Sequence, residues 1–485
     1  MHWHGLHVPA RFDGGPHQVI NQGATWSPAF KVMNDAGTYW YHPHGHKKTD
    51  RHVSKGLAGF IIIKDAQEAG LNLPRTYGVD DFPLIIQTKE FDVLNQIATS
   101  TFLDTAVMVN AVIRPYVQLP AQVVRLRLLN GASQRTFQVG FSNNMNFYLI
   151  GNDGGLIDTP RVMNRLLLTN GERAEILVNL NTWQNDTIHL TCYGTEMSKG
   201  IYGADSVGDA GVNQITDYYT NYLNGQNFNL LEIHVTAPTA TPVTSIPNAL
   251  LPSTPLVPDA NTVYRDFVID TLGGIGITPN LAMGPFALNH VLFNMDSINE
   301  TVYLNSKEVW TIHNKTMIAH PFHIHDIQFN ILDINGVAPP IYERGRKDVV
   351  LIMPGDSVRL ITRFSDFEDD SIPYMYHCHI LHHEDDGMMG SFIVKDTSAV
   401  AGLTPALSIP DMQLFPNPTN DYINIRYQAG SPWQVSLYDL SGMLLLQQET
   451  TKQDLTLDLS EWASGFYLVR LQSASAIFTK KIIRN

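Results

Sequence analysis

The feature of this sequence that most constrains its fold is a set of four short histidine-rich clusters. They supply ten candidate histidine ligands, one cysteine and one methionine: His2-Trp-His4-Gly5, His42-Pro-His44, His320-Pro-Phe-His323-Ile-His325, and His377-Cys378-His379-Ile-Leu-His382-His383-Glu384-Asp-Asp-Gly387-Met388. Side chains two residues apart on a β-strand point to one face, so a His-X-His pair on a strand offers two ligands to one metal cluster. The clusters therefore favour a β-protein that binds metal.

The fourth cluster indicates which metal. Imidazole and thiolate suit copper, and one cysteine with two histidines and a weak thioether is the ligand set of a blue electron-transfer site. In His377-Cys378-His379 the thiol should face away from its two neighbours, so one copper would bind Cys378 while the histidines serve metals on the other side. A single His-X-His pair among 19 histidines in 485 residues could arise by chance, but four clusters of this kind are a strong signal.

Bulk properties exclude several classes of protein. The formal charge of −14, from 32 basic and 46 acidic residues, disfavours nucleic acid as a partner and anionic substrates. No run approaches the roughly 18 to 20 apolar residues of a membrane span. The chain has two cysteines, which excludes a disulfide framework, and Cys192 is expected to be a buried core residue.

Short apolar runs between Gly, Pro, Asn and Asp clusters predict β-strands throughout the chain. The runs are 59–64, 84–87, 123–129, 147–150, 174–178, 230–235, 309–313, 357–363 and 390–394. Regular strands at this spacing are typical of β-sandwiches. Composition shifts at 65–77, 236–258 and 396–410 predict four units: residues 1–70, 75–238, 255–398 with the cysteine cluster, and 408–485.

The clusters resemble the signature of multicopper oxidases, the family of laccases, bilirubin oxidases and bacterial copper-efflux oxidases. The resemblance covers roughly residues 1–396 and is strongest to the bacterial three-domain branch. It includes His4-Gly5-Leu-His-Val-Pro9, Phe12-Asp13-Gly14-Gly15-Pro16, Tyr39-Trp40-Tyr41-His42-Pro43-His44 and Gly56-Leu-Ala-Gly59. It implies an all-β fold: three cupredoxin-like Greek-key β-sandwich domains, the first N-terminally truncated, followed by a small C-terminal β-sandwich.

The resemblance also implies four copper ions with particular ligands. The type 1 copper would be held by His320, Cys378 and His383, with Met388 axial. The type 2 copper would take His2 and His323. One type 3 copper would take His4, His42 and His379, and the other His44, His325 and His377. The remaining histidines, including His7, His46, His52 and His382, are expected to be bystanders, with His382 exposed.

Two acids are candidates for proton delivery, because reduction of dioxygen in a buried site consumes protons. Asp13 matches the family's acid near the type 2 copper, and Glu384 matches the acid on the type 3 side. Alternatively, Asp13 shapes the Asp-Gly-Gly-Pro turn and Glu384 anchors a ligand.

The implied reaction takes one electron at a time from a substrate, passes it through Cys378, and reduces dioxygen to water. Copper-efflux oxidases carry a methionine-rich insertion and an aspartate a few residues before the type 1 histidine. Here residues 270–307 contain only Met283 and Met295, and no acid lies between Asn314 and His320. A small aromatic reductant (a phenol, aromatic amine or tetrapyrrole) is therefore preferred to Cu(I). Alternatives are a cuprous oxidase, a non-catalytic electron-transfer or copper-sequestering protein, and an adhesion or matrix protein. We expect a monomer with no nucleic-acid partner.

The two ends of the chain carry different signals. Residues 413–485 resemble the C-terminal sorting domain of the type 9 secretion system, through Leu414-Phe-Pro-Asn-Pro and Ser464-Gly465-Phe-Tyr-Leu-Val469. This implies secretion machinery as a partner, export through a Gram-negative periplasm, and a secreted or cell-surface protein; a carbohydrate-binding or structural module is the alternative. The first residues, Met1-His2-Trp3-His4-Gly5, lack the basic start and the apolar run expected of a signal peptide. Because a ligand is already residue 2, we expect an N-terminal truncation that weakens the trinuclear cluster.

Overall fold

The computed structural model describes residues 1–208, 215–272, 280–396, 413–426, 432–439, 443–473 and 477–485. The chain divides into two compact units, Met1–Asp396 and Thr397–Asn485. Strands dominate both units, which confirms the predicted all-β class. The predicted linker at 396–410 lies outside the described residues apart from Asp396.

Residues 1–69 form a small layer around the first two histidine clusters. Its strands Gly37–Tyr41 and Gly59–Ile63 pair antiparallel, and its short helices are Ala10–Asp13, Thr49–Ser54 and Ala66–Ala69. An isolated antiparallel bridge joins the two clusters, with His2 N donating to His42 O at 2.8 Å and His42 N to His2 O at 3.2 Å. Backbone pairing thus fixes the first cluster against the second.

Two sheets follow and enclose one apolar core. In spatial order the first contains Gly155–Met163, Phe147–Asn152, Arg173–Asn179, Val123–Asn130, Asp81–Lys89, Ala106–Val109 and Val112–Ile113. The second contains Leu166–Leu168, Phe137–Phe141, Thr187–Tyr193, Asn227–Thr236 and Tyr116–Pro120. Alternate residues of both sheets, such as Leu126, Ile176 and Phe141, are fully buried between them. Cys192 also lies in this core and is a free thiol, as predicted.

The next two sheets carry the third and fourth clusters. One contains Phe286–Leu288, Val263–Thr271, Lys307–Asn314, Ser357–Arg363 and Phe329–Ile334; the other contains Glu300–Tyr303, Met389–Lys395, Asp369–Cys378, His320–Ile324 and Val349–Ile352. The third cluster and the start of the fourth lie on neighbouring antiparallel strands, with His323 opposite His377 and Phe322 opposite Cys378. Since the side-chain period of a strand is two, His323 and His377 share one face and Cys378 takes the other.

The C-terminal unit has its own core between two sheets. Its strands are Gln413–Phe415, Tyr422–Arg426 and Asp454–Asp458 in one sheet, and Leu444–Thr450, Trp433–Tyr438, Gly465–Ser473 and Ile477–Arg484 in the other. Ile425, Val435 and Val469 are fully buried within it. The small C-terminal β-domain is thereby confirmed.

The nine predicted runs all fall within strands, with ends that differ by a few residues; residues 84–87, for example, lie inside Asp81–Lys89. The remaining helical segments are Leu381–Asp385 and the 3-10 turns Gly194–Glu196, Tyr218–Thr220 and Ile341–Glu343. Among the described residues, no helix combines the length and apolarity needed to cross a membrane. The four predicted unit boundaries stay a prediction.

Candidate metal centre

Cys378 lies at the centre of a first buried ligand group. Its Sγ is 3.5 Å from His320 Nδ1 and 3.7 Å from His383 Nδ1. The helix Leu381–Asp385 brings His383 back towards the thiol, and Gly387, with a φ of +103°, turns the chain after it. Met388 N then donates to His383 O at 2.9 Å, and the Met388 side chain is buried in the same core as Cys378.

The outer nitrogens of the two imidazoles in this group have partners of their own. Thr316 Oγ1 lies 2.9 Å from His320 Nε2, and Tyr202 Oη lies 3.5 Å from His383 Nε2. The Phe286 ring covers both imidazoles, with centroid distances of 4.7 and 4.6 Å. With Nε2 engaged, the Nδ1 lone pairs are free to face Sγ, as a shared metal ion requires.

A second group gathers the other eight predicted histidine ligands into one cage. His4 Nδ1 is 3.4 Å from His42 Nε2 and 3.3 Å from His379 Nε2. His377 Nε2 is 3.2 Å from both His44 Nε2 and His325 Nε2. The remaining two histidines are His2 and His323. Their Nε2 atoms are buried and lack a hydrogen-bond partner in the described part of the chain.

The cage fits metal ions better than it fits hydrogen bonds. Main-chain carbonyls of Asp13, Pro43, Asp348 and Cys378 lie 2.7–3.1 Å from the Nδ1 atoms of His2, His42, His323 and His377. Each Nδ1 therefore carries the proton and leaves Nε2 as a lone pair. Lone pairs that face one another at 3.2–3.4 Å repel unless a cation lies between them. The imidazole donors of the cage and the cysteine of the Cys378 group are both ligands that suit copper.

Electrostatics keep these rings neutral. Burial, followed by the charges of neighbouring imidazoles, holds the pKa of most of them well below the usual range: His4, His42, His44, His323, His325 and His379. Burial also lowers the pKa of His320 and His377 to about 3. The pKa of the Cys378 thiol is raised by burial, so its thiolate needs a cation beside it.

Both predicted acids contact members of the group formed by His44, His325 and His377. Asp13 Oδ2 accepts a hydrogen bond from His325 Nδ1 at 2.7 Å, and its Oδ1 lies 3.3 Å from His2 Nδ1. Glu384 Oε1 lies 3.4 Å from His44 Nδ1, and its Oε2 lies 3.5 Å from His377 Nδ1. The pKa of Glu384 is well above its usual range because of burial, with a further contribution from Asp385.

The sequence reasoning missed a third carboxylate at the cage. Asp348 Oδ1 accepts from His4 Nε2 at 3.1 Å, and the carboxylate forms a bidentate pair with Arg173, whose Nη1 lies 2.6 Å away. Gly5 makes room for this pair: its φ is +85°, and a Cβ there would lie 2.6 Å from both Arg173 Nη2 and Asp348 Oδ2. A charged residue directly before a buried apolar strand, as in Lys347-Asp348-Val349, was the available signal.

One histidine differs from its expected environment. His382 was expected to be exposed, but it is half-buried, and its ring lies 4.4 Å from that of His383 and 5.9 Å from that of Phe102. The short helix causes this, because it turns His382 towards the aromatic side chains beside Tyr202.

Family models and relatives agree with this geometry. Models described as "Multicopper oxidase" match residues 1–68 and 258–398, and one described as "Secretion system C-terminal sorting domain" matches residues 413–485. The multicopper oxidase mco of Staphylococcus haemolyticus is 32% identical over 406 residues, which are 82% of this chain and 76% of the relative. The cell division protein FtsP of Sodalis glossinidius is 33% identical over 403 residues, 81% of this chain and 78% of that protein.

A solved structure is similar over the same region. The bacterial laccase-like multicopper oxidase CueO from Ochrobactrum sp. is 33% identical, has a TM-score of 0.68, and covers 81% of this chain and 84% of its own. The cupredoxin-like architecture predicted for Met1–Asp396 is thereby confirmed. The match at the C-terminus confirms the sorting domain. This chain belongs to the multicopper oxidase family and is accordingly an oxidoreductase that uses copper ions.

Proposed function

We propose that this protein holds four copper ions and couples the one-electron oxidation of phenolic or other aromatic substrates to the four-electron reduction of dioxygen to water. The observation that carries the proposal is His377-Cys378-His379. The thiol belongs to one ligand group, while the two flanking imidazoles belong to the cage on the other face of the strand. Three consecutive residues thus link a one-electron site to a site for several ions.

The proposed ligand sets follow the buried groups. The type 1 copper would be held by His320, Cys378 and His383, with Met388 as a fourth, weaker ligand; the type 2 copper would be held by His2 and His323; the type 3 coppers would be held by His4, His42 and His379, and by His44, His325 and His377. In each of the two type 3 sets, and among the cysteine and two histidines of the type 1 set, one ligand atom per residue lies within 4.8 Å of the others. When bound, copper at the first set accepts single electrons, and copper in the cage supplies the reduction of dioxygen.

The protein's own residues would fix where the electron enters. Of the four type 1 ligands, His383 retains 4% exposure, whereas His320, Cys378 and Met388 have none. A donor would therefore approach the edge of the His383 ring. Phe286 and Tyr202 pack on that ring and exclude water from the ligands beneath it.

Glu384 and Asp13 would deliver protons to the cage. The Thr49 hydroxyl donates to Glu384 Oε1 at 2.6 Å, which leaves Oε2 as the position for an acid proton. Asp13 uses Oδ2 to accept from His325, so Oδ1 would be the atom that carries its proton. Both carboxyls are almost fully buried, so protons reach the cage from defined atoms rather than from bulk water.

The substrate class rests on what lies around the type 1 set. Residues 270–307 contain two methionines, Met283 and Met295, and the segment from Asn314 to His320 contains no acid. These are poor surroundings for a dedicated Cu(I) site at the type 1 copper. The similar Ochrobactrum enzyme has oxidase activity towards lignin model compounds and lignosulfonate, which supports phenols as the first choice.

Oxygen uptake by the copper-reconstituted protein tests the proposal. A methoxyphenol, bilirubin and Cu(I) would be supplied in parallel, and we expect the phenol to sustain the fastest uptake. Cys378→Ser should abolish uptake with every donor, while Cys192→Ser, which alters the other buried free thiol, should not. A blue absorption band without oxygen uptake for any donor would indicate an electron carrier instead.

The C-terminal domain supports a proposal about location. We propose that it directs the protein through the Gram-negative periplasm to the type 9 secretion machinery, so that the mature protein is secreted or held at the cell surface. We propose the four units 1–70, 75–238, 255–398 and 408–485 as its domains, and a monomer as its working form.

A further inference from the structure

A second cluster of soft side chains lies beside the cage. Three methionines pack with Phe293 in a small buried group of their own. Two imidazoles contact the same ring, with centroid distances of 6.3 and 5.5 Å. We define the His–Met cluster as His17, His46, Met295, Met375 and Met389. None of the five is among the ligands assigned above.

Each of the two imidazoles has a buried Nδ1 without a hydrogen-bond partner among the described residues. His17 Nε2 donates to Met295 O at 2.9 Å, which leaves its Nδ1 as a lone pair. His17 Nδ1, His46 Nδ1 and the neighbouring Gln18 Oε1 are all buried, and none has a hydrogen-bond partner in the described ranges. Buried polar atoms without partners are destabilising. Three such atoms at one place suit a cation.

The cluster lies between solvent and the cage. A cavity of about 380 Å³ is lined by Gln18, His46 and Met295, and His44 of the cage forms part of its wall. Behind it, Met375 stands two residues before His377 on one strand, so both side chains share a face. Met389 is the cross-strand partner of His377. Soft donors thus extend from the cavity to the cage.

We propose that His46 and Met295, which line the cavity, bind Cu(I) there with His17 beside them, and that this ion then passes to His44, His325 and His377 during assembly of the copper centre. Imidazole and thioether are the donors that select Cu(I). The transfer is an exchange of ligands without change of oxidation state, so it needs neither oxidant nor reductant. The second step rests on the proposed copper assignment of the cage, whereas binding at His46 and Met295 does not.

Binding can be measured without turnover. The full-length, copper-loaded protein, labelled at the methionine ε-methyl carbons and kept reduced under anaerobic conditions, would be titrated with Cu(I) as its acetonitrile complex and followed by NMR. We expect the Met295 methyl, assigned from Met295→Leu, to shift in proportion to the added Cu(I). The methyl of Met443, which is 59% exposed in the C-terminal unit, should stay in place. His46→Gln should weaken the Met295 shift at least fivefold.

Loading provides the second readout. Apoprotein would be given Cu(I) anaerobically and its copper content followed with time. We expect Met295→Leu and His46→Gln to load at least fivefold more slowly than the parent, and the exposed-site controls Met443→Leu and His290→Gln to load at the parental rate. Circular dichroism would first establish that each variant is folded. An unmoved Met295 methyl, or variants that load as fast as the parent, would overturn the proposal and leave the cluster as core packing.

Discussion

His4 donates a hydrogen bond from Nε2 to Asp348 Oδ1 at 3.1 Å, and it is the ring of the cage that presents Nδ1 rather than Nε2 to its neighbours. The carboxylate holds the proton on Nε2 and so fixes the tautomer that the site needs. Arg173 neutralises this carboxylate with two guanidinium nitrogens. Residues far apart in the chain therefore set the orientation of one ligand.

Replacement of Asp348 should weaken copper binding at the His4 group. Asp348→Asn keeps an acceptor but loses the charge that pairs with Arg173, and we expect copper affinity to fall about 10- to 100-fold. Asp348→Leu should lose more, because it also removes the bidentate partner of a buried guanidinium, to which Asp153 at 3.5 Å remains as an ion-pair partner. Copper per chain after dialysis against graded chelator measures both. Asp370→Asn, at an exposed position, is the control, and full copper retention in both Asp348 variants would refute the role.

Glu384→Gln should slow turnover without loss of metal. The amide still accepts from Thr49 through its Oε1, but it has no acid proton to deliver. We expect kcat to fall by about 10²- to 10⁴-fold. Copper content and the anaerobic rate at which a phenol bleaches the blue band should equal the parent's, as should all properties of the exposed control Glu368→Gln. Unchanged kcat would mean that Glu384 only anchors its histidines.

The sequence predicts the repeating, local part of this molecule well. The strand runs follow from the residue pattern, whereas the grouping of His2 with His323, or of His377 with His325, is implied only by the resemblance to multicopper oxidases and stays a prediction. Asp348 and Arg173 could not be found this way, because their pairing joins positions 175 residues apart and each looks like an ordinary charge at the start of a strand. His382 was misjudged because the five-residue helix that turns it inward has no periodic signal.

Acid should destabilise the protein through Glu175. Burial opposes its charge, but Arg125 and Arg127 outweigh burial and lower its pKa to about 2. A depressed pKa contributes stability that is complete above the unfolded value of about 4.5 and is lost as pH falls towards 2. The free energy of unfolding of the parent should therefore exceed that of Glu175→Gln by about 3 kcal/mol near pH 6. This difference should disappear as the pH falls from 4.5 to 2.

Thermal unfolding of the two apoproteins across that pH range measures the gap. Glu196→Gln is the control, because Glu196 pairs with Arg165 at the surface, where such pairs contribute less than about 1 kcal/mol. A gap between parent and Glu175→Gln that stays constant from pH 6 to 2 would contradict the assignment.

Removal of the C-terminal unit should separate chemistry from export. Met1–Asp396 contains every proposed ligand and forms a compact unit of its own. We expect deletion of residues 397–485 to leave copper content and oxygen uptake within about twofold of the parent, since a domain with its own core folds alone. In a host with type 9 machinery, and behind a signal peptide, the deleted protein should stay in the periplasm. Export that continues unchanged would rule out the sorting role.

We propose that Cys378 links a one-electron copper to a three-copper cage that reduces dioxygen fully. Counting the copper ions per chain and the electrons from phenol consumed per dioxygen, in one reconstituted sample, tests this link. We predict four copper ions and four electrons per dioxygen, with no hydrogen peroxide, and for Cys378→Ser three copper ions and no consumption. Two electrons per dioxygen with peroxide as product, or a Cys378→Ser variant that still consumes oxygen at the parental rate, would contradict this account.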